Sequence, residues 1–241
     1  AAFLTGSDEY WNTTWYYKNE ALVPTKSVLK IDGEVADEWA YAGTANENIT
    51  DSWNVNFPGI ESAAAKIGDK KFATLQMALD AANTDDVVEV TKDIVLDLQN
   101  ATHLSASDYA GVYYKGSKSF TLDLGGHTIT AGEGVNNDVL RFSNINGIAK
   151  NTITVQNGTV ISPATTWQAI DAGVGDGSDT GTILNLKNLT INSNRGGACA
   201  VRSRMGNVIN ITDTTINTVN GGGVYVPSGK AELTNVNITV T

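Results

Sequence analysis

One apolar pattern recurs six times in this 241-residue chain, and it limits the folds open to it. Written φ-x-φ-x-x-x-x-φ, with φ apolar, it fits Val88/Val90/Val95, Leu122/Leu124/Ile129, Ile153/Val155/Val160, Leu184/Leu186/Ile191, Ile209/Ile211/Ile216 and Ala231/Leu233/Ile238. Successive starts lie 34, 31, 31, 25 and 22 residues apart. Apolar residues at alternate positions line one face of a strand. Four positions after each of the last five starts stand Gly126, Asn157, Asn188, Asp213 and Asn235. These residue types enter the left-handed backbone region at least cost. Each unit therefore reads as a strand, a sharp bend at one left-handed residue, and a second strand. The position after the bend, held by His127, Gly158, Leu189, Thr214 and Val236, is expected to point inward.

A third strand is expected about 17 residues after each start, marked by Val139, Ile170, Val201 and Val226. Three short strands per repeat, joined by turns of unequal length, describe a coil. Stacked coils pair each strand with its own copy one layer along, about 4.8 Å away, and bury a continuous core. The predicted fold class is all-β, a right-handed parallel β-helix (solenoid), the hand following the rule for parallel crossovers. A β-sandwich of antiparallel hairpins would also alternate. It would not place a left-handed residue at one fixed offset five times.

The last copy, "AELTNVNITV", reads as the start of a sixth rung that is not completed. Its edge is expected to be covered by further chain, by a partner, or by another copy of the molecule. The opposite end is treated differently. In "FATLQMALDAANTDD", Phe72, Leu75, Leu79 and Ala82 share one helical face, with Thr74 as N-cap. A helix laid across the first rung would close the core there. The predicted organisation is an irregular, aromatic-rich N-terminal arm over 1–60, a linker and capping helix over 61–87, and about six rungs of β-helix over 88–241 with an incomplete C-terminal end.

The segment "AKIGDKKFATLQMALDAANTDDVVEVTKDIVLD" resembles the leading segment of bacterial pectate-lyase-like β-helix proteins, where a short amphipathic helix runs into a Val-rich first rung. "FTLDLGGHTIT", "ITVQNGTVIS" and "LNLKNLTINSN" are similar to rungs of that superfamily. "RGGACAV" and "NGGGVYV" are similar to the Gly-Gly-x-φ strands of autotransporter-type surface adhesins. The resemblance covers roughly residues 65–241. It implies a fold more than an activity, because the superfamily holds lyases, hydrolases, phage tailspikes and adhesins. A shorter stretch, "LKIDGEVADEWAYA", is similar to the opening of one class of carbohydrate-binding β-sandwich, and reads otherwise as a strand-turn anchored by Trp39.

Enzymes of this superfamily carry their site on the outer face of one sheet. Reading the repeat outward beside the third strand gives Asp138, and then Asp171 and Arg202 on adjacent rungs. Two carboxylates with a nearby arginine could hold Ca²⁺ and an acidic sugar or perform acid–base work. As an exposed ion pair they would contribute under about 1 kcal/mol. The complete set of Asn-Thr-Asp, Asp-Asp and Gly-His-Gly motifs like that of the polygalacturonases is not present, since Gly-His-Gly does not occur. His127 reads as a structural residue beside a turn, and His103 lies in a loop. Two distant histidines and the single cysteine, Cys199, do not make a zinc site, and one cysteine forms no internal disulfide. Asp176 and Asp179 in "GVGDGSDTG" are candidate Ca²⁺ ligands without EF-hand spacing; no other cofactor is expected.

Four of the five tryptophans fall in the first 60 residues. Trp11, Trp15, Tyr16 and Tyr17 in "YWNTTWYY" either form an aromatic platform for sugar rings or pack against other protein. The net charge of −10 argues against nucleic acid and anionic membrane as partners, and no apolar run is long enough to span a bilayer. The start, "AAFLTGSDEY", reads either as a mature N-terminus left by cleavage or as an arbitrary boundary. Seven Asn-x-Ser/Thr sequons, at Asn12, Asn48, Asn100, Asn157, Asn188, Asn210 and Asn237, suit an Asn/Thr-rich β-protein with or without glycosylation.

Regular rungs without a convergent catalytic set lead to the expectation of a noncatalytic exported or cell-surface protein, adhesin-like or structural, extracellular and bacterial. Its expected partners are a glycan or host surface, or copies of itself through the open C-terminal end. The alternatives are a polysaccharide lyase or glycoside hydrolase using Asp138, Asp171 and Arg202, and a head-to-tail fibre subunit joined through its N-terminal arm.

Overall fold

The computed structural model describes the backbone of the strands Trp11–Lys18, Ala21–Ile31, Glu34–Ala40 and Ser52–Val55, and residues 63–241 apart from 99–100, 106, 146–148, 174–180, 205 and the side chain of His103. The described chain is mostly strand with one short helix, and it divides into two compact units.

In the first unit, the segment expected to be irregular instead carries a four-stranded antiparallel sheet. Trp11–Lys18 lies between Ala21–Ile31 and Ser52–Val55, and Glu34–Ala40 pairs on the outer side of Ala21–Ile31. The alternation in "NTTWYYKNEALV" favours extended backbone, and hairpin pairing gives that backbone its hydrogen bonds. The side chains of Trp11, Trp15, Tyr16 and Tyr17 lie outside the described residues.

The second unit holds two sheets of parallel strands. The longer sheet runs, in order, through Lys230–Val240, Val208–Thr218, Thr182–Ser193 and Asn151–Ser162. Asn151–Ser162 then pairs with both Phe120–Asp123 and Thr128–Ala131, and these pair with Val87–Val90 and Ile94–Leu96. Leu122, Val155, Leu186 and Ile211 are register partners and fully buried, as are Ile129, Val160, Ile191 and Ile216. The shorter sheet stacks Val112–Tyr114, Leu140–Phe142, Ile170–Ala172, Cys199–Ser203 and Gly222–Tyr225. Every pairing within these stacks is parallel, which removes the hairpin sandwich as an alternative. Antiparallel pairing in this unit joins Ala65–Ile67 to Val87–Val90 and Thr102–Ser105 to Asp108–Ala110.

The bend residues are where the repeat puts them. Asn157, Asn188, Asp213 and Asn235 have φ of 60, 50, 51 and 52°, and Gly126 has φ of 86°. Their side chains also bond from layer to layer: Asn157 Nδ2 donates to Asp123 Oδ2 (3.0 Å), Asn188 Nδ2 to Asn157 Oδ1 (3.1 Å), and Asn235 Nδ2 to Asp213 Oδ1 (2.6 Å). Asparagine therefore tolerates the backbone and supplies a donor and an acceptor to its neighbours.

Two layers depart from the expected spacing. Phe120 and Leu122, not Leu122 and Leu124, pair with Ile153 and Val155. The bend "LGGH" is two residues longer than its successors, and Gly125 joins Gly126 at positive φ. Leu124 fills the interior there, so close to Gly158 that a Cβ on that residue would collide with it. His127, expected inward, is displaced to the rim, where its Nδ1 lies 3.4 Å from Asp93. In the first layer the bend is one residue shorter than "LGGH", so Ile94 is the buried partner of Ile129 and Val95 is exposed.

The helix is Leu75–Ala81, with Leu75, Ala78 and Leu79 buried. Thr74 Oγ1 accepts from the Met77 N–H (3.2 Å), the expected N-cap, while Phe72 belongs to the strand Lys70–Phe72 before it. Gln76 works as a surrogate strand for the edge residue Tyr113. Its Oε1 accepts from the Tyr113 N–H (2.8 Å) and its Nε2 donates to the Tyr113 carbonyl (3.0 Å). At the far edge of the longer sheet, Leu233, Ile238 and Val240 are exposed.

Candidate functional site

The two sheets differ in what they hold at matching positions. In the shorter sheet, Tyr113, Arg141, Asp171, Arg202 and Tyr225 form one column, each the register partner of the next. Parallel strands put such residues about 4.8 Å apart, so opposite charges one layer apart fall into contact. Asp171 receives a two-pronged bond from Arg202, Nε to Oδ1 at 3.0 Å and Nη2 to Oδ2 at 2.8 Å. Arg204 Nη2 reaches Asp171 Oδ2 at 3.0 Å. The Arg141 guanidinium lies 4.8 Å over the Tyr113 ring, whose hydroxyl accepts from Ser143 Oγ (3.1 Å).

The three candidates Asp138, Asp171 and Arg202 are brought together, with two corrections. The markers Val139, Ile170, Val201 and Val226 would align Leu140 with Asp171 and Pro227 with Arg202, but the register partner of Asp171 in the preceding layer is Arg141 and that of Arg202 in the next is Tyr225. Strands of three residues carry too little alternation to fix register, and an extra residue in a turn slips it. The group is also no exposed ion pair: Asp138 and Asp171 are fully buried. Asp138 stands 3.6 Å from Arg202 Nη2 and 3.8 Å from Arg141 Nη1, and neither of its oxygens receives a hydrogen bond.

Burial pushes the Asp138 carboxyl up to about 7, helped by the neighbouring Asp171 charge and opposed by Arg202 and Arg141. Asp171 is also raised by burial, against the pull of Arg202. Removing solvent favours the neutral acid, and a second carboxylate nearby reinforces it.

Beside this cluster lies a groove of about 380 Å³, lined by Trp167, Gln168, Cys199, Arg202, Val224 and Tyr225. The Trp167 and Tyr225 side chains are 44% and 54% exposed. The Arg195 guanidinium sits 3.6 Å from the Trp167 ring centre. Gln168 is buried, and its Oε1 has no hydrogen-bond partner. The groove thus offers two exposed aromatic rings and the Arg202 guanidinium, with the Arg195 guanidinium stacked on Trp167.

No protein-family model, no curated protein and no solved structure matches this chain.

A second cavity, about 540 Å³, lies beside the helix and is lined by Gln76, Asp80, Tyr114, Lys115 and Lys118 among others. The Gln76 amide is fully engaged there, accepting also from Thr102 Oγ1 (2.9 Å) and donating to Asp80 (2.9 Å), so it serves the fold. Asp176 and Asp179 lie outside the described residues. Among the described residues, no group of three or more His, Cys, Asp or Glu is placed to hold a metal ion, and no helix is long and apolar enough to cross a membrane. Sequence reasoning missed Arg141, Arg204 and the groove. Trp167, the single tryptophan beyond the first 60 residues, was the available signal.

Proposed function

We propose that this chain is a noncatalytic exported or cell-surface protein, wound as a right-handed parallel β-helix in the manner of the pectate-lyase-like superfamily, and that it binds glycan in the groove between Trp167 and Tyr225. The parallel, in-register stacks and the recurring left-handed bends support the β-helix reading. One observation carries the choice of binding over catalysis. The two carboxylates that could serve as acid and base are fully buried, whereas the two aromatic rings beside them are exposed. A general acid or base must come within hydrogen-bond reach of the proton it moves. A sugar ring needs an accessible flat apolar face, which Trp167 and Tyr225 offer.

The test is binding of a glycan array to the intact chain, with Trp167→Ala alongside. Binding that falls at least tenfold in Trp167→Ala, a loss of about 1.4 kcal/mol, supports the reading. Array binding unchanged by that substitution sinks it.

A lyase or hydrolase acting on an extracellular polysaccharide is the second reading. Its support is the Asp138 carboxyl, which at about 7 sits where a general acid works well. A product-release assay on acidic and neutral polysaccharides, with and without Ca²⁺, decides between the two. Release by the wild type that is lost in Asp171→Asn would establish the enzyme.

A further inference from the structure

The ionisable groups around Asp138 are unequally served. Asp171, from Ile170–Ala172, takes the fork of Arg202 and the guanidinium of Arg204. Asp138 is left with Arg202 and Arg141 at 3.6 and 3.8 Å and accepts no hydrogen bond. The groups that face it are Arg141 from Leu140–Phe142, Asp171 from Ile170–Ala172, and Arg202 from Cys199–Ser203. Cys199 also lines the groove; burial pushes its thiol up, which keeps it neutral in weak acid and weak base alike. A carboxylate buried without hydrogen bonds is costly, and taking up a proton relieves that cost. Arg202 connects the two regions, because it faces both Asp138 and the groove.

We propose that Asp138 is the proton-controlled counter-charge of the groove: when its carboxyl is neutral, the Arg202 charge is balanced by Asp171 alone, and a negatively charged sugar binds more tightly in weak acid than in weak base. This rests on the reading of the groove as a glycan site and adds its regulation. With Asp138 ionised, three arginines face two carboxylates; with Asp138 protonated they face one. The excess positive charge stands beside the Trp167 and Tyr225 rings, with Arg195 adding to it. One unit charge at such short range, partly screened, is worth roughly tenfold in affinity for an anion.

The experiment is calorimetric titration of the full chain with a glucuronic acid tetrasaccharide and with the matched neutral glucose tetrasaccharide, at about pH 5.5 and about pH 8.5, either side of the Asp138 midpoint. The expected result is that the acidic probe binds roughly tenfold more tightly at the lower pH and the neutral probe does not change. Asp138→Asn should bind the acidic probe tightly at both pH values. Imidazoles ordinarily change charge in this window. Asp138→Asn keeps His103 and His127, so pH dependence that survives in it overturns the proposal. Equal affinity at the two pH values in the wild type also overturns it, and leaves the groove reading standing. Absence of binding by either sugar overturns both. Should Asp138→Asn fail to fold, ¹³C carboxyl NMR on the wild type decides: an aspartate titrating near 7 and displaced by the acidic sugar supports the proposal. Titration of every aspartate in the ordinary range overturns it.

Discussion

The longer sheet and the shorter sheet are both stacks of parallel strands drawn from the same repeats, yet they are built of different material. The longer sheet stacks like on like: Leu122, Val155, Leu186 and Ile211 inside, and Asn185 with Asn210 or Asn192 with Asn217 on the other face, each pair bonded amide to amide at 2.9 Å. The shorter sheet stacks unlike on unlike, Tyr113, Arg141, Asp171, Arg202, Tyr225. A column of identical apolar or amide residues is satisfied by any number of copies. A column of alternating charges depends on each member keeping its neighbours. Regularity is therefore the mark of the scaffold, and the break in regularity marks the candidate site.

The comparison breaks most sharply at Asp171. Asp171→Ala leaves the half-buried Arg204 with no carboxylate and Arg202 with Asp138 alone, and should cost about 3–5 kcal/mol in urea unfolding. A loss below about 1 kcal/mol would mean that the cluster holds nothing together. Leu186→Ala, in the middle of the longer sheet, should cost about 2–5 kcal/mol by the same measurement, through lost burial and the cavity left behind. Its effect should be uniform across pH, whereas that of Asp171→Ala should vary with the protonation of Asp138. The smallest effect sharpens the scaffold side. Asn188→Ala must hold φ near 50° without the short polar side chain that eases that region and gives up the bond to Asn157, for about 1–2 kcal/mol. Asn188→Gly keeps the backbone at ease and should recover most of that. Equal losses for the two would show that the amide ladder, rather than the bend, matters.

What was legible in the sequence follows the same division. Asn157, Asn188, Asp213 and Asn235 could be found because a bend that needs positive φ admits few residue types. The register from Ile153 onward in the longer sheet was readable because strands of 11 and 12 residues repeat their alternation many times. It failed where a bend changed length, at Gly125–Gly126 and at Thr91–Asp93 before Ile94, since glycines and polar residues in a bend leave no apolar trace. In the shorter sheet, Asp171 and Arg202 were aligned because their layers share a 31-residue spacing. Arg141 and Arg204 were not, since nothing in a local pattern tells a buried arginine from a solvated one. The alternation in Trp11–Lys18 favours a strand, but its partners come from contacts that no periodicity records, and the sheet they make was not expected.

The column at Asp171 also restricts how the chain can change in length. Excising one repeat, residues 153–183, would set Asn188 beside Asp123 and Leu186 beside Leu122, substitutes the longer sheet could accept. The same cut would set Arg202 directly upon Arg141, cation upon cation, with the intervening acid gone. Loss of a single repeat is thus barred at this one place by a sandwich of three residues that can be inherited only together.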